Sequence, residues 1–374
     1  MLIEIHMLKN FAPTNLNRDD TGSPKSCMFG GVPRGRISSQ CLKRSWRTSP
    51  ILKKEVGEVL GTRTRKLPEM VAKELKNRGV AVEYLPLVEK KLTGIANKEG
   101  KENKEGNWTA QIVLYSPDDV IAVAQAAQEQ IESAGNLEAF EKMTSKDLEK
   151  AVKGAKIRPI TLDIALFGRM VTSDAFADVE ASMQVAHAIS TNRVMMETDF
   201  FTAMDDLIDG KQEVGSAMMG DVDYNSSCYY IYASLDTNKL MENLQYTENP
   251  EALVKKTIPA LLRTMAYTNP SGKQNTFAGH SLPSAVLVEC KDYPVPVSYA
   301  NAFVQPVYGT HDISLIDGSV KRLVEFAEQT DRDFALPLKK RFLFCAGGKQ
   351  KMANAKNCEN FPELVEDTAA CFAD

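Results

Sequence analysis

The sequence predicts an α+β fold in which a ferredoxin-like sheet carries a helical insertion and a protruding hairpin. Two observations carry this. Stretches alternating apolar and polar residues, as half-buried strands do, are separated by stretches with the helical period. Their order is strand, helix, strand, strand, helix, strand, once an Ala-, Lys-, Glu- and Gln-rich segment over residues 51–155 is set aside as an insertion.

Residues 2–8 open the sheet, with Ile3, Ile5 and Met7 on one face and Glu4 and His6 on the other. Residues 13–24, rich in Pro, Asn, Asp, Gly and Ser, predict a long exposed loop. Phe29-Gly30-Gly31 and Arg34-Gly35-Arg36-Ile37 then predict a short strand or turn. Ser38 and Ser39 offer caps to a helix that runs to about residue 48 and stops near Pro50. On that helix Gln40, Lys43, Arg44 and Arg47 share one stripe, with Leu42 and Trp46 opposite.

Within the insertion, helices are expected over 117–133 and 136–155, and residues 93–107 read as a solvated loop with few apolar anchors. Residues 160–167 alternate again and predict a strand ending at Gly168, which places Arg169 and Met170 at its tip. An amphipathic helix is expected over 179–189, and residues 191–224 read as an irregular hairpin carrying Phe200, Phe201, Met204 and Ala217-Met218-Met219. A strand over 227–235, a helix over 250–267, a strand over 285–290, a helix over 319–329 and an irregular tail complete the chain. This order is that of a ferredoxin-like sheet of the RNA-recognition type.

The composition, 43% hydrophobic and 25% charged over 374 residues, is that of a globular chain and excludes wholesale disorder. No apolar run approaches the roughly 20 residues of a membrane helix, so the expected location is the cytoplasm, away from any membrane. Seven scattered cysteines without a CxxC pair suggest neither a disulfide framework nor a zinc site. The net charge is −4, yet residues 1–66 hold thirteen Lys or Arg against five Asp or Glu. A basic sector in an acidic chain suggests a confined polyanion site, and would equally suit a flank balanced by acidic neighbours.

The helix beginning near Ser38 directs unpaired N–H groups outward, with Arg34 and Arg36 before it and Lys43, Arg44 and Arg47 along it. Such a set could cradle consecutive phosphates, with Ser38, Ser39 and Gln40 adding neutral hydrogen bonds; a solvated amphipathic helix is the competing reading. The hairpin's Phe and Met residues suit stacking on bases, or anchoring on a core of their own. Asp19 and Asp20 could position a metal for RNA cleavage, although adjacent Asp residues are common in turns. His6, His187, His280 and His311 have no metal-motif spacing, and residues 346–350 lack the full phosphate-loop pattern, so no cofactor is called for. Lys142, Lys146, Lys150, Lys153 and Lys156 could touch a second polyanion such as DNA, or lie on a solvated face.

The blocks Asn15-Leu16-Asn17-Arg18-Asp19-Asp20, Phe29-Gly30-Gly31 and residues 36–44 strongly resemble the CasC family, the repeated backbone subunit of the type I-E CRISPR Cascade complex. So do residues 163–170 (DIALFGRM), 186–191 (AHAIST), 199–207 (DFFTAMDDL) and 299–303 (YANAF), in the same order over about 300 residues. The resemblance implies a hand-like subunit. A modified RNA-recognition palm would occupy 1–50, 159–190 and 227–374, helical fingers 51–158, and a thumb hairpin 191–226. Copies would line up head to tail along one guide RNA (crRNA), beside other Cascade subunits, and leave its bases free to pair with target DNA. Carried over by position, Arg18, Lys25, Ser38, Gln40, Lys43, Arg44 and Arg47 would hold the backbone, while Met170, Phe200 and Phe201 would intercalate where a base is displaced. The expected protein is non-enzymatic; the alternative is an RNA-cleaving backbone subunit of a type III-like complex using Asp19 or Asp20.

Overall fold

The computed structural model describes residues 1–57, 60–95, 103, 106–154, 158–173, 175–203, 218–348 and 350–373. It is a mixed α+β structure whose strands are β1 (Leu2–Thr14), β2 (Ser26–Phe29), β3 (Val32–Ile37), β4 (Thr62–Thr64), β5 (Val113–Tyr115), β6 (Met183–Val185), β7 (Ala188–Ser190), β8 (Glu197–Ala203), β9 (Met218–Asp236), β10 (Pro283–Lys291), β11 (Lys340–Cys345) and β12 (Lys356–Cys358). The chain forms two compact units: residues 1–55, 184–236 and 255–374, and residues 56–183 and 237–254. Met204, Ala217, Lys156 and most of the predicted 93–107 loop lie outside the described residues.

The first unit is built on a large mixed sheet of order β12-β11-β10-β1-β9-β7-β3-β2, with β6 and β8 also paired to β9. β1 lies at its centre, antiparallel to both β9 and β10, and runs six residues beyond the predicted strand because β9 supplies ladder partners as far as Thr14. One face presents Leu8, Tyr230, Tyr232, Leu287 and Leu343 to Tyr299, Phe303 and the helix Leu315–Phe334, which buries Val320, Leu323 and Val324. On the other face Phe344 meets Phe361 of a C-terminal helix, Phe361–Ala373, where an irregular tail was expected.

Three predicted elements are corrected. Residues 160–167 hold a helix, Leu162–Phe167, rather than a strand. Leu162, Ile164, Ala165 and Leu166 are all buried, and in a short run apolar on every side the alternation cannot tell strand from helix. Residues 179–189 hold no helix; β6 and β7 lie there, and Ile189 pairs with Arg36 on one side and Tyr230 on the other, so the ladder overrides a weak helical pattern. The predicted 136–155 helix is two helices, Leu137–Lys142 and Ser145–Gly154, separated at Met143 by an extended backbone.

The second unit is largely helical. Leu67, Val71 and Leu75 from Leu67–Asn77, Val123, Ala127 and Ile131 from Pro117–Ala134, and Leu148 and Val152 from Ser145–Gly154 share one core, filled by Phe140 and Phe176. A two-stranded ladder, β4 with β5, adjoins it. Among the described residues no helix is long and apolar enough to cross a membrane.

Candidate nucleic-acid interface

Ser39–Arg47 forms the predicted basic helix. The Ser38 hydroxyl caps it, accepting from the Cys41 N–H at 3.3 Å, and Leu42 and Trp46, four residues apart, bury one side. The other side leaves Gln40 and Arg44 exposed and Lys43 and Arg47 half-buried; partial burial holds the Lys43 ammonium below its usual range.

The loop before this helix is ordered by its own polar groups. Asn17 Oδ1 accepts from the Ser38 N–H at 2.9 Å, and the Asn17 carbonyl accepts from the Lys25 N–H at 2.8 Å. The Lys25 carbonyl accepts in turn from Arg36 N–H at 2.8 Å, so loop, strand and helix start share one short chain of hydrogen bonds. β2 and β3 meet through the Gly30-Gly31 turn. Gly30 has a φ of +60° and a Cβ there would come within 1.8 Å of the Val304 carbonyl oxygen, so no other residue fits.

Lys25 and Arg36 stand at the other end of this hairpin, where Lys25 neighbours both His187 and Cys41, Arg36 neighbours His187 and Arg44 neighbours Cys41. Arg36 Nη1 lies 3.1 Å from His187 Nδ1; desolvation first, then Arg36 and Lys25, push that imidazole below its ordinary range. Arg44 and Lys25 likewise act on the Cys41 thiol, which partial burial raises. Beside them an open groove of about 540 Å³ is lined by Arg18, Asp19, Asp20, Thr21, Arg44 and Ser45 among others. Asp19 is exposed and engaged by its own loop: Oδ1 accepts from the Thr21 N–H at 3.0 Å, the Thr21 hydroxyl at 2.7 Å and the Ser23 N–H at 3.1 Å, and these bonds hold its carboxyl below the usual range.

Arg34, a predicted phosphate ligand, is structural instead. Arg34 is fully buried, its Nη1 donating to the Ser190 and Thr191 carbonyls at 3.0 and 2.8 Å and its Nη2 to Phe303 and Val304 at 2.7 and 3.0 Å. A guanidinium so engaged is not presented to a phosphate. Arg169, in the second unit, is buried against Asp119 at 2.6 Å. Its neighbour Met170 stands 89% exposed. Ser38 is also buried and engaged in capping, while Ser39 is half-buried.

The expected hairpin is a regular ladder of β8 with β9, and β9 continues into the sheet as one 19-residue strand rather than breaking near 226. Phe200 opposes Asp221 and Phe201 opposes Gly220, so the two rings leave opposite faces. Phe200 is 64% exposed; Phe201 lies over Gly220, where a Cβ would meet its ring at 2.8 Å. At the base, Asp223 accepts from the hydroxyls of Ser23 at 2.5 Å and Thr198 at 2.7 Å, and its carbonyl accepts from the buried Asn15 amide at 2.8 Å. The sequence assigned no positioning role to Asn15, Asn17 or Asp223; Asn in a turn-rich segment was the available signal. Lys142 is exposed and paired with Glu138 at 2.8 Å, and Lys146 and Lys150 are exposed on a helix whose buried side is Leu148 and Val152.

In architecture the molecule is of the class found in CRISPR RNA-guided surveillance complexes. It is similar over 100% of both chains to a subunit of a structure described as "CRISPR RNA-guided surveillance complex, pre-nicking", with a TM-score of 0.84 and 25% identity. A chain of another "CRISPR RNA-guided surveillance complex" shares the fold, with a TM-score of 0.73, 22% identity and 99% of each chain covered. The family model described as "CT1975-like protein" matches residues 3–367, and the chain belongs to that Cas family, a Cascade backbone-like protein in agreement with the CasC resemblance. No curated protein matches the chain in sequence.

Proposed function

We propose that this chain is a non-catalytic, crRNA-binding backbone subunit of a cytoplasmic CRISPR Cascade complex. The full-length likeness to a subunit of an RNA-guided surveillance complex carries the reading. The strand order β10-β1-β9-β7 supports a palm of the RNA-recognition type, because it places the first of four core strands between the third and the fourth. The sheet face that such folds use for stacking bases is closed here: Tyr230 and Tyr232 are buried beneath Tyr299, Phe303 and the Leu315–Phe334 helix. RNA would therefore run along the rim, where Lys25, Arg36, Arg44 and Arg18 stand, with Lys43, Arg47 and Gln40 on the same helix.

The hairpin suits a different role. It carries Glu197, Asp199, Asp221 and Asp223, which repel phosphate, beside the exposed Phe200 and Met219, so it acts on bases rather than on the backbone. It would displace a base at intervals, a role proposed separately for Met170, and copies assembling head to tail would leave the intervening bases free for target DNA. A cleavage role for Asp19 is disfavoured by the three hydrogen bonds that engage its Oδ1.

The test is ribonuclease footprinting of the full chain assembled on a guide RNA. Protection repeating at a fixed spacing is expected; uniform or absent protection overturns the reading. Regular cleavage of complementary RNA in Mg²⁺, abolished by Asp19→Ala or Asp20→Ala, would overturn the non-catalytic part.

A further inference from the structure

Met170 is an apolar side chain displayed at 89% exposure between two buried residues, Arg169 and Val171. Nothing in packing rewards such an arrangement, yet its backbone is held on both sides. Arg169 and Val179 exchange both backbone hydrogen bonds, at 2.9 and 2.8 Å, and the Val171 N–H donates to Asp178 Oδ1 at 2.6 Å. Gly168 permits the turn, with a φ of +78° and only 2.9 Å between a Cβ there and the Val179 carbonyl oxygen.

Behind the turn stands a buried charge cluster. Asp119 Oδ2 accepts from Arg169 Nη1 at 2.6 Å and Oδ1 from Arg158 Nε at 2.8 Å, and the same carboxylate caps the Pro117–Ala134 helix through the Ser116 N–H at 2.8 Å. Arg169 also donates from Nε to the Ala177 carbonyl at 3.1 Å and from Nη1 to Leu114 at 3.3 Å, and Arg158 Nη2 to Ala175 at 2.8 Å. Both guanidiniums lie over the Phe176 ring, at 5.4 and 5.8 Å from its centre. The strand-like segment carrying Met170 and the segment 175–179 opposite it are thus tied to one helix start.

We infer that Asp119, Arg158, Arg169 and Asp178 are positioning residues that hold Met170 as a rigid wedge against a stacked nucleobase. The inference rests on the proposed role of Met170 in base displacement. A flexible methionine at the end of a loose loop would fold back rather than unstack a base; a clamped backbone leaves only the side-chain torsions to be ordered on contact. The partner is a single-stranded RNA base of any identity, since stacking on a thioether selects no base edge.

The experiment uses the full chain assembled on single-stranded RNAs, each carrying one 2-aminopurine, a fluorescent adenine that brightens when unstacked, at successive positions. The wild type is expected to brighten the probe at regularly spaced positions, and Met170→Ala to reduce that brightening at least two-fold. Asp178→Ala, which removes an exposed clamp, and Arg169→Lys are expected to reduce it comparably while RNA affinity stays within two-fold. If Met170→Ala leaves the fluorescence unchanged, the wedge reading itself fails. If Met170→Ala dims the probe but folded Asp178→Ala does not, the wedge stands and the positioning inference is overturned. Should Arg169→Lys fail to fold, Asp178→Ala alone decides.

Discussion

The Asn17 side-chain oxygen accepts the backbone N–H of Ser38 at 2.9 Å, which joins the loop carrying Arg18 to the residue that caps the basic helix. The bond takes up one of the helix's otherwise unpartnered N-terminal donors and fixes where the loop meets the helix. Asn17→Ala is expected to cost about 1 kcal/mol, the usual worth of one such bond. Because Lys25 and Arg36 hang from the same chain of hydrogen bonds, RNA affinity should fall as well, although Asn17 needs no contact with RNA. Urea unfolding and filter binding measure the two effects separately; lost stability with unchanged affinity would mean that the loop does not position the cations.

Lys25, Arg36 and Arg44 share one neighbourhood at the end of the β2–β3 hairpin away from its turn: Arg36 and Lys25 both act on His187, and Arg44 and Lys25 both act on Cys41. Neutralising all three to Gln is expected to weaken binding to every RNA sequence alike. Each lost single-strand phosphate contact removes about 0.7 from the log-log salt slope, so the slope should flatten by about 2. Titrations across a salt series check this, and an unchanged slope would reduce the patch to ordinary surface charge.

Arg34 and Arg36 should behave as opposites. Arg34→Ala would strip four backbone carbonyls of a charged donor and open a void, at a cost of roughly 3–5 kcal/mol. Arg36→Ala should change stability by less than about 1 kcal/mol and act on RNA binding instead. Thermal unfolding of both variants beside their RNA titrations provides the comparison.

That contrast marks the limit of what the sequence discloses. The two arginines sit two residues apart on β3 and leave the same side of the strand. What separates them is the segment at Phe303 and Val304, nearly 270 positions away, which covers one guanidinium and not the other. The basic helix was legible because its cap, its Leu42–Trp46 spacing and its stop near Pro50 are all local. The Pro250–Tyr267 helix was legible for similar reasons. The 179–189 segment was not, since its extended form depends on β3 and β9 meeting it in the folded sheet. Arg169 and Met170 show the same limit in the second unit: neighbours in sequence, one is buried on Asp119 and the other displayed to solvent.

His6 gives the sheet a pH dependence. It is buried against Tyr299, ring centres 4.4 Å apart, with Nδ1 2.8 Å from the Tyr230 hydroxyl. Burial is the main cause that pushes its pKa down to about 4, with Lys291 and Arg341 acting in the same direction and Glu289 against them. The folded form therefore resists protonation while the unfolded chain takes up a proton near the ordinary value of about 6.5. Stability from this group is complete above that value and is lost as pH falls from about 6.5 to about 4, for a total of roughly 3 kcal/mol. Denaturant unfolding at a series of pH values should show the decline, and His6→Gln should flatten that part of the curve. An undiminished slope in the variant would assign it to the neighbouring carboxylates.

The hairpin separates Phe200 from Phe201 by the pleat of β8, and only Phe200 shares its face with the exposed Met219. A wedge acting on one base therefore uses Phe200 and Met219, while Phe201 braces the ladder by lying over Gly220. Phe200→Ala is expected to leave folding within about 0.5 kcal/mol of wild type, as surface substitutions do, and to reduce regular protection of the guide RNA. Phe201→Ala should instead loosen the hairpin, seen as faster amide exchange in β8. Gly220→Ala gives an independent check, because its added methyl must displace the Phe201 ring. It should disturb the hairpin as Phe201→Ala does while leaving Phe200 in place. If Phe200→Ala and Phe201→Ala weaken protection equally with no change in exchange, both rings act as wedges and the assignment by strand face is wrong.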